Sequence, residues 1–108
     1  MMAIDEVTVA ELESALASGA RLYDVREVDE YTEAHVPGAV LIPLGTVADN
    51  VDAFRGDGLA YLICKSGGRS MRACEHLADQ GIDVVNVAGG TSGWVTSGRR
   101  TVTGDRPL

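Results

Sequence analysis

Little in the sequence signals export or membrane spanning. Its opening, MMAIDEVTVAEL, has no basic segment leading into a long apolar one, and its longest apolar stretch, residues 36–44, is broken by Pro37, Gly38 and Pro43. A cytoplasmic location and no membrane partner are therefore expected. Cysteine is scarce: two residues cannot build a disulfide framework, and in a reducing compartment thiols either do chemistry or fill cores. Positive charge is scarce too. Nine Lys and Arg against sixteen Asp and Glu leave a net charge of −7, without the basic stripe of a nucleic-acid binder, so no nucleic-acid partner is expected. Low-complexity tracts, internal repeats and heptad seams are missing as well, which argues against disorder, solenoids and coiled coils.

What remains is an ordinary globular composition, 45% hydrophobic and 23% charged over 108 residues. That length fits a single domain with one modest core, so residues 1–108 are read as one unit, its core at about residues 5–98 and a polar C-terminal tail at 99–108. Thr8 and Glu11 match a capping box, with Val9, Leu12 and Leu16 at helical spacing up to Gly19, and predict a first helix. Strands are predicted at residues 21–25, 39–42, 59–63 and 83–87, a loop with a helical turn at 26–34, and short helices at 46–54 and 91–97. The clearest helix spans residues 70–80, where Met71, Cys74, Leu77 and Ala78 share one face and Gly81 stops it. Alternating strands and helices predict an α/β fold of right-handed βαβ units, a mainly parallel sheet of about five strands with helices on both faces. In such folds ligands collect beyond the carboxyl ends of the strands.

That edge is where the chemistry concentrates. The buried-type strand at residues 59–63 runs straight into Cys64-Lys65-Ser66-Gly67-Gly68-Arg69-Ser70. Gly67 and Gly68 permit positive φ, so successive N–H groups can turn toward one point, helped by the N-terminus of the next helix. Ser66 and Ser70 offer hydroxyl donors, Ser70 also as a candidate helix cap, and Arg69 offers a planar fork to an oxyanion. Lys65, Arg69 and Arg72, three of the nine basic residues, fall within eight consecutive positions, a cationic spot on an acidic body that suits a small anion. Cys in such surroundings titrates at roughly 3.5–7.5 instead of about 8.5, which makes Cys64 a ready nucleophile. Cys74, on the apolar helix face, is expected to pack in the core, unpaired with Cys64.

Four ordered segments resemble the rhodanese family: Asp24-Val25-Arg26, His35-Val36-Pro37-Gly38-Ala39, the loop from Cys64 to Arg69, and Gly89-Gly90-Thr91-Ser92-Gly93-Trp94. The resemblance covers almost the whole chain. It implies a small rhodanese-like domain in which Cys64 is the nucleophile and Lys65 through Arg69 form the cradle. The implied activity is that of a sulfurtransferase taking a sulfane sulfur from a small anionic donor such as thiosulfate. Cys64 would hold it as a persulfide and pass it to cyanide, a thiol, or a dithiol or sulfur-relay protein. Because amide donors can hold the persulfide anion, no metal and no organic cofactor are expected.

Two other functions compete. Cysteine-dependent phosphatases and related arsenate-reducing enzymes that resemble this fold use C-x5-R, whereas four residues separate Cys64 from Arg69 here, a smaller ring than a phosphoryl group needs. A binding or sulfur-carrier module without turnover uses the same cradle. Supporting roles are read at three positions. Asp24 either braces the loop by pairing with Arg26 or Arg69 or is a plain turn residue. Arg26 enters as one of those two candidate partners, and Arg72 joins Lys65 and Arg69 in stabilising a leaving anion. His35 reads as a loop-fixing hydrogen-bond partner rather than a general base, His76 as solvated, and Trp94 as a hydrophobic plug.

Overall fold

The computed structural model describes residues 3–108. Five parallel strands, β1 (Asp5–Val7), β2 (Arg21–Asp24), β3 (Val40–Leu41), β4 (Ala60–Ile63) and β5 (Val84–Val87), form one sheet in the order β1-β5-β4-β2-β3. Side chains alternate between its faces, so β4 sends Ala60 and Leu62 into one apolar cluster and Ile63 into the other. The first cluster is roofed by helix α3 (Gly68–Asp79) through Ala73, Cys74 and Leu77, and by two short 3-10 turns through Val47 and Phe54. The second lies under helices α1 (Val9–Ala17), α2 (Val28–Glu33) and α4 (Gly90–Thr96), which contribute Leu12, Tyr31 and Trp94. Both faces of the sheet are thus covered, as a parallel sheet requires. Each fully buried Leu or Ile side chain contributes about 1.5–3 kcal/mol, so these two clusters hold the strand ends in place.

The α/β class, the parallel sheet and helices on both faces match the sequence reading, and four differences have local causes. Strand β1 was not predicted: Asp5-Glu6-Val7 carries a single apolar side chain and pairs only with β5 at the sheet edge. The turn expected at residues 26–34 is a true helix, α2, because Glu30 accepts a hydrogen bond from the Glu27 backbone N–H at 3.0 Å and closes its first turn. The short helix expected at 46–54 is instead the pair of 3-10 turns, Leu44–Asp49 and Val51–Phe54. Thr46 Oγ1 and Asn50 Nδ2 donate to the nearby Pro43 and Thr46 carbonyls and favour tight local bonds over an α-helix. Finally, α3 starts at Gly68 and not at residue 70, capped by Gly67 in the left-handed region at φ 115°.

The polar stretch after α4 is stitched to the domain. Val102 and His35 exchange backbone hydrogen bonds of 2.9 Å, and the His35 ring nitrogens face the Tyr31 and Arg106 carbonyl oxygens at 2.8 Å each. The Trp94 indole N–H donates to the Arg100 carbonyl at 2.7 Å. Among the described residues no helix is long and apolar enough to cross a membrane.

Candidate active site

The carboxyl ends of β2, β4 and β5 meet at one edge, where Cys64 follows directly on β4. Its thiol is held by the loop that follows. The Cys64 sulfur accepts a hydrogen bond from the Gly67 N–H at 3.1 Å and lies 3.3 Å from the Ser70 hydroxyl. Burial pushes the thiol pKa up, since Cys64 is only 1% exposed. The Ser70 hydroxyl and the backbone N–H groups of Ser70, Gly67 and Ser66 together outweigh that cost, and the net pKa is lowered. The cradle is therefore narrower than the sequence suggested, with donors from Ser66, Gly67 and Ser70 rather than from every position between Lys65 and Ser70.

Two glycines make this geometry possible. Gly67 adopts φ 115°, which aims its N–H at the sulfur and which side-chain-bearing residues rarely tolerate. Gly90, at φ 58°, lies so close under the loop that a Cβ would come within 2.5 Å of the Lys65 carbonyl oxygen and 2.6 Å of the Cys64 carbonyl oxygen. The amides of Thr91 and Ser92 donate to those same carbonyls at 2.9 Å, so the start of α4 pins the strand-to-loop turn from below.

The family model of the rhodanese-like domain matches residues 8–97. The chain belongs to the rhodanese-like family. The Bacillus subtilis protein YtwF, whose name marks it as a candidate sulfurtransferase, is 38% identical over 95 residues, covering 86% of this chain and 92% of its own length. A second Bacillus subtilis protein, YrkF, named as a candidate sulfur carrier, is 42% identical over 74 residues, 68% of this chain and 40% of its own length. Among solved structures, the human single-domain sulfurtransferase TSTD1 superposes with a TM-score of 0.78 at 29% identity, covering 87% of this chain and 97% of that one.

Within this rhodanese-like domain the charged residues take up places that the sequence only partly foretold. Asp24, fully buried, pairs with Arg26, whose Nη2 lies 2.8 Å from Oδ2 and whose Nε lies 3.0 Å from Oδ1. Arg26 also donates to the Ala34 carbonyl at 2.8 Å and so ties the end of β2 to the end of α2. Arg69 does not hold its fork open to an incoming anion, and does not pair with Asp24. Its Nη1 and Nη2 grip the two carboxylate oxygens of Glu30 at 2.7 and 2.9 Å, a bidentate pair between loop and α2. The Arg69 hydrogen bonds, opposed by burial and helped by the Glu27 amide, hold the Glu30 carboxyl at a pKa of about 2, below its ordinary 4.5.

Ser70 is not the helix cap, a position taken by Gly67. It sits in the first turn of α3, fully buried, and turns its hydroxyl down onto the sulfur and onto Asn86 of β5. Lys65, Ser66, Gly68 and Arg72 are exposed, and among the described residues neither Lys65 nor Arg72 forms an ion pair. An open cleft of about 450 Å³ runs beside the loop between α2 and α4, lined by Arg26, Glu30, Lys65, Thr91 and Val95 among others. Among the described residues no three His, Cys, Asp or Glu side chains gather as a metal site.

Sequence reasoning missed Glu30 and Asn86. Glu30 lies 39 residues from Arg69, and its only local signal was its place three residues after Glu27. Asn86 interrupts an otherwise apolar strand, Val84-Val85-Asn86-Val87, buried at every position. A lone amide in such a strand must find partners inside the fold, which was the available clue.

Proposed function

We propose that this chain is a sulfurtransferase in which the Cys64 thiolate takes the outer, sulfane sulfur of an anionic donor such as thiosulfate. The sulfur–sulfur bond of thiosulfate breaks, sulfite leaves with the bonding pair, and Cys64 becomes a persulfide that keeps one negative charge. A thiophilic acceptor, cyanide, a thiol or a dithiol protein, then attacks the outer sulfur and releases the Cys64 thiolate. The observation that carries this reading is the placement of donors on the Cys64 sulfur, the Gly67 N–H at 3.1 Å and the Ser70 hydroxyl at 3.3 Å, which favours its thiolate in spite of burial. Donors that favour the thiolate favour the persulfide anion for the same reason, so resting state and intermediate share one site.

Basic side chains flank the loop besides Arg69: Lys65 and Arg72 are exposed and, among the described residues, in no ion pair, and Lys65 lines the neighbouring cleft. Arg69 instead braces the cradle through Glu30. That occupied fork, with the four-residue spacing from Cys64 to Arg69, disfavours phosphatase-like chemistry, in which the arginine must bind the equatorial oxygens. Incubation with thiosulfate should add one sulfur atom to the protein by intact mass, removable by a dithiol, and Cys64→Ser should take up none. Loading that persists in Cys64→Ser would remove the assignment. A sulfur carrier serving one protein partner is the second reading, supported by the likeness to YrkF. It predicts the same loading with no turnover on cyanide or small thiols.

A further inference from the structure

Two of the groups that face the Cys64 sulfur, the Gly67 N–H and the Ser70 hydroxyl, belong to residues that one side chain outside the loop holds. Asn86, fully buried on β5, donates from Nδ2 to the Gly67 carbonyl at 3.1 Å and to Glu6 Oε2 at 2.9 Å, and its Oδ1 lies 2.5 Å from Ser70 Oγ. The orientation of the amide is forced: the Gly67 carbonyl and the Glu6 carboxylate only accept, so Nδ2 must face them and Oδ1 must face Ser70. The sheet supplies the alignment, because Glu6 of β1 and Leu62 of β4 flank Asn86 in register, with Cys64 two residues beyond Leu62.

We propose that Asn86 is a positioning residue for Cys64, fixing the Gly67 peptide and the Ser70 oxygen so that both meet the sulfur whichever charge it carries. Ser70 has a single hydroxyl proton and three acceptors in reach: Asn86 Oδ1 at 2.5 Å, and the Cys64 sulfur and the Gly67 carbonyl at 3.3 Å each. While the sulfur is a thiol, the Ser70 hydroxyl donates to Asn86 Oδ1 and its lone pairs face the S–H. When the sulfur becomes an anion, its charge draws the same proton across, and the oxygen itself need not move. Meanwhile the bond from Nδ2 to the Gly67 carbonyl holds in place the peptide that follows the N–H serving the sulfur. Asn86 touches neither the sulfur nor any reactant, so its effect is exerted through Ser70 and Gly67.

The inference rests on the thiolate half of the proposed function, and its readout, alkylation of Cys64 by iodoacetamide against pH, requires no sulfur transfer. A chain that loads no sulfur yet shows the shifts below would lose the function and keep the inference. Trypsin separates the two cysteines at Lys65, Arg69 and Arg72, so each is followed on its own peptide. Asn86→Leu should raise the Cys64 alkylation midpoint by about one pH unit, roughly tenfold less thiolate at pH values below it. Asn86→Asp, which keeps an acceptor for Ser70 but cannot donate to Gly67 and adds charge, should raise it further. The shift in Ser70→Ala with Asn86→Leu should fall short of the sum of the single shifts. In the unmutated protein, the Asn86 side-chain amide resonances should titrate with the Cys64 midpoint, a measurement independent of how the variants fold. A silent amide, an unmoved or lowered midpoint in a folded variant, or full additivity with Ser70→Ala would each overturn the proposal.

Discussion

Cys64 and Cys74 occupy the same apolar cluster, at 1% and 0% exposure, and neither is in a disulfide, yet their thiols differ in opposite directions. Cys64 lies at the end of a strand where Ser66, Gly67 and Ser70 supply donors, and its pKa falls. Cys74 lies ten positions on, on the inner face of α3, where burial and then the charges of Glu6 and Glu75 act on it with no donor, and its pKa is pushed up to about 12. Burial costs both sulfurs. What separates reagent from filler is whether the backbone turns its amides toward the sulfur, and in this chain that turn is a matter of two glycines and a serine.

The strongest way to break that contrast is exchange of the sulfurs themselves. Cys64→Ser should abolish sulfur loading, whereas Cys74→Ala should keep it within about threefold and lose stability by about 1 kcal/mol, the cost of a small void. Intact mass and thermal melting decide it, and loading at Cys74 would invert the assignment. Next in size, iodoacetamide near neutral pH should modify the Cys64 peptide at least about a hundredfold faster than the Cys74 peptide, since the thiolate is the reacting form. Ser70→Ala should move the Cys64 midpoint up by about one pH unit and leave Cys74 where it is, because only Cys64 receives that hydroxyl.

Two smaller effects concern stability against pH. Cys74 keeps its proton up to about 12 in the fold but loses it from its ordinary value of 9.0 when unfolded, so the native state is progressively disfavoured as pH climbs through that window. Denaturant midpoints of the unmutated protein should fall over that range, and more steeply than those of Cys74→Ala. Glu30 works in the opposite sense. With its folded pKa at about 2 against 4.5, it contributes stability that is complete above 4.5 and lost as pH falls toward 2. Glu30→Gln should flatten that acid limb modestly, since Glu30 and Arg69 are each about a third exposed and solvent screens the pair. An acid limb of unchanged slope would remove the Arg69–Glu30 brace from the stability of the fold.

Much of this was legible from the residues alone, and the division follows a physical rule. Properties written in adjacent positions could be read: the capping box of Thr8 and Glu11, the apolar face of α3, and the run of Cys, Ser and Gly that makes a nest after β4. Properties that arise only when distant segments meet could not. Arg69 advertises a fork, but the sequence does not say that a carboxylate 39 residues earlier fills it. Ser70 looks like a cap by its place before a helical pattern, and only the left-handed Gly67 shows that the helix has already begun. β1 escaped because an edge strand of three residues with one apolar side chain has almost no periodicity to detect.

The depth of Cys64 has a consequence for any molecule that approaches it. Only 1% of the residue is accessible, and Gly90 packs so closely against the Cys64 and Lys65 carbonyls that the backbone of the loop has no room to settle deeper. Dimension should therefore weigh before charge: a slender electrophile is expected to alkylate Cys64 faster than a broad aromatic reagent of equal intrinsic reactivity, and equal rates for the two would remove that expectation.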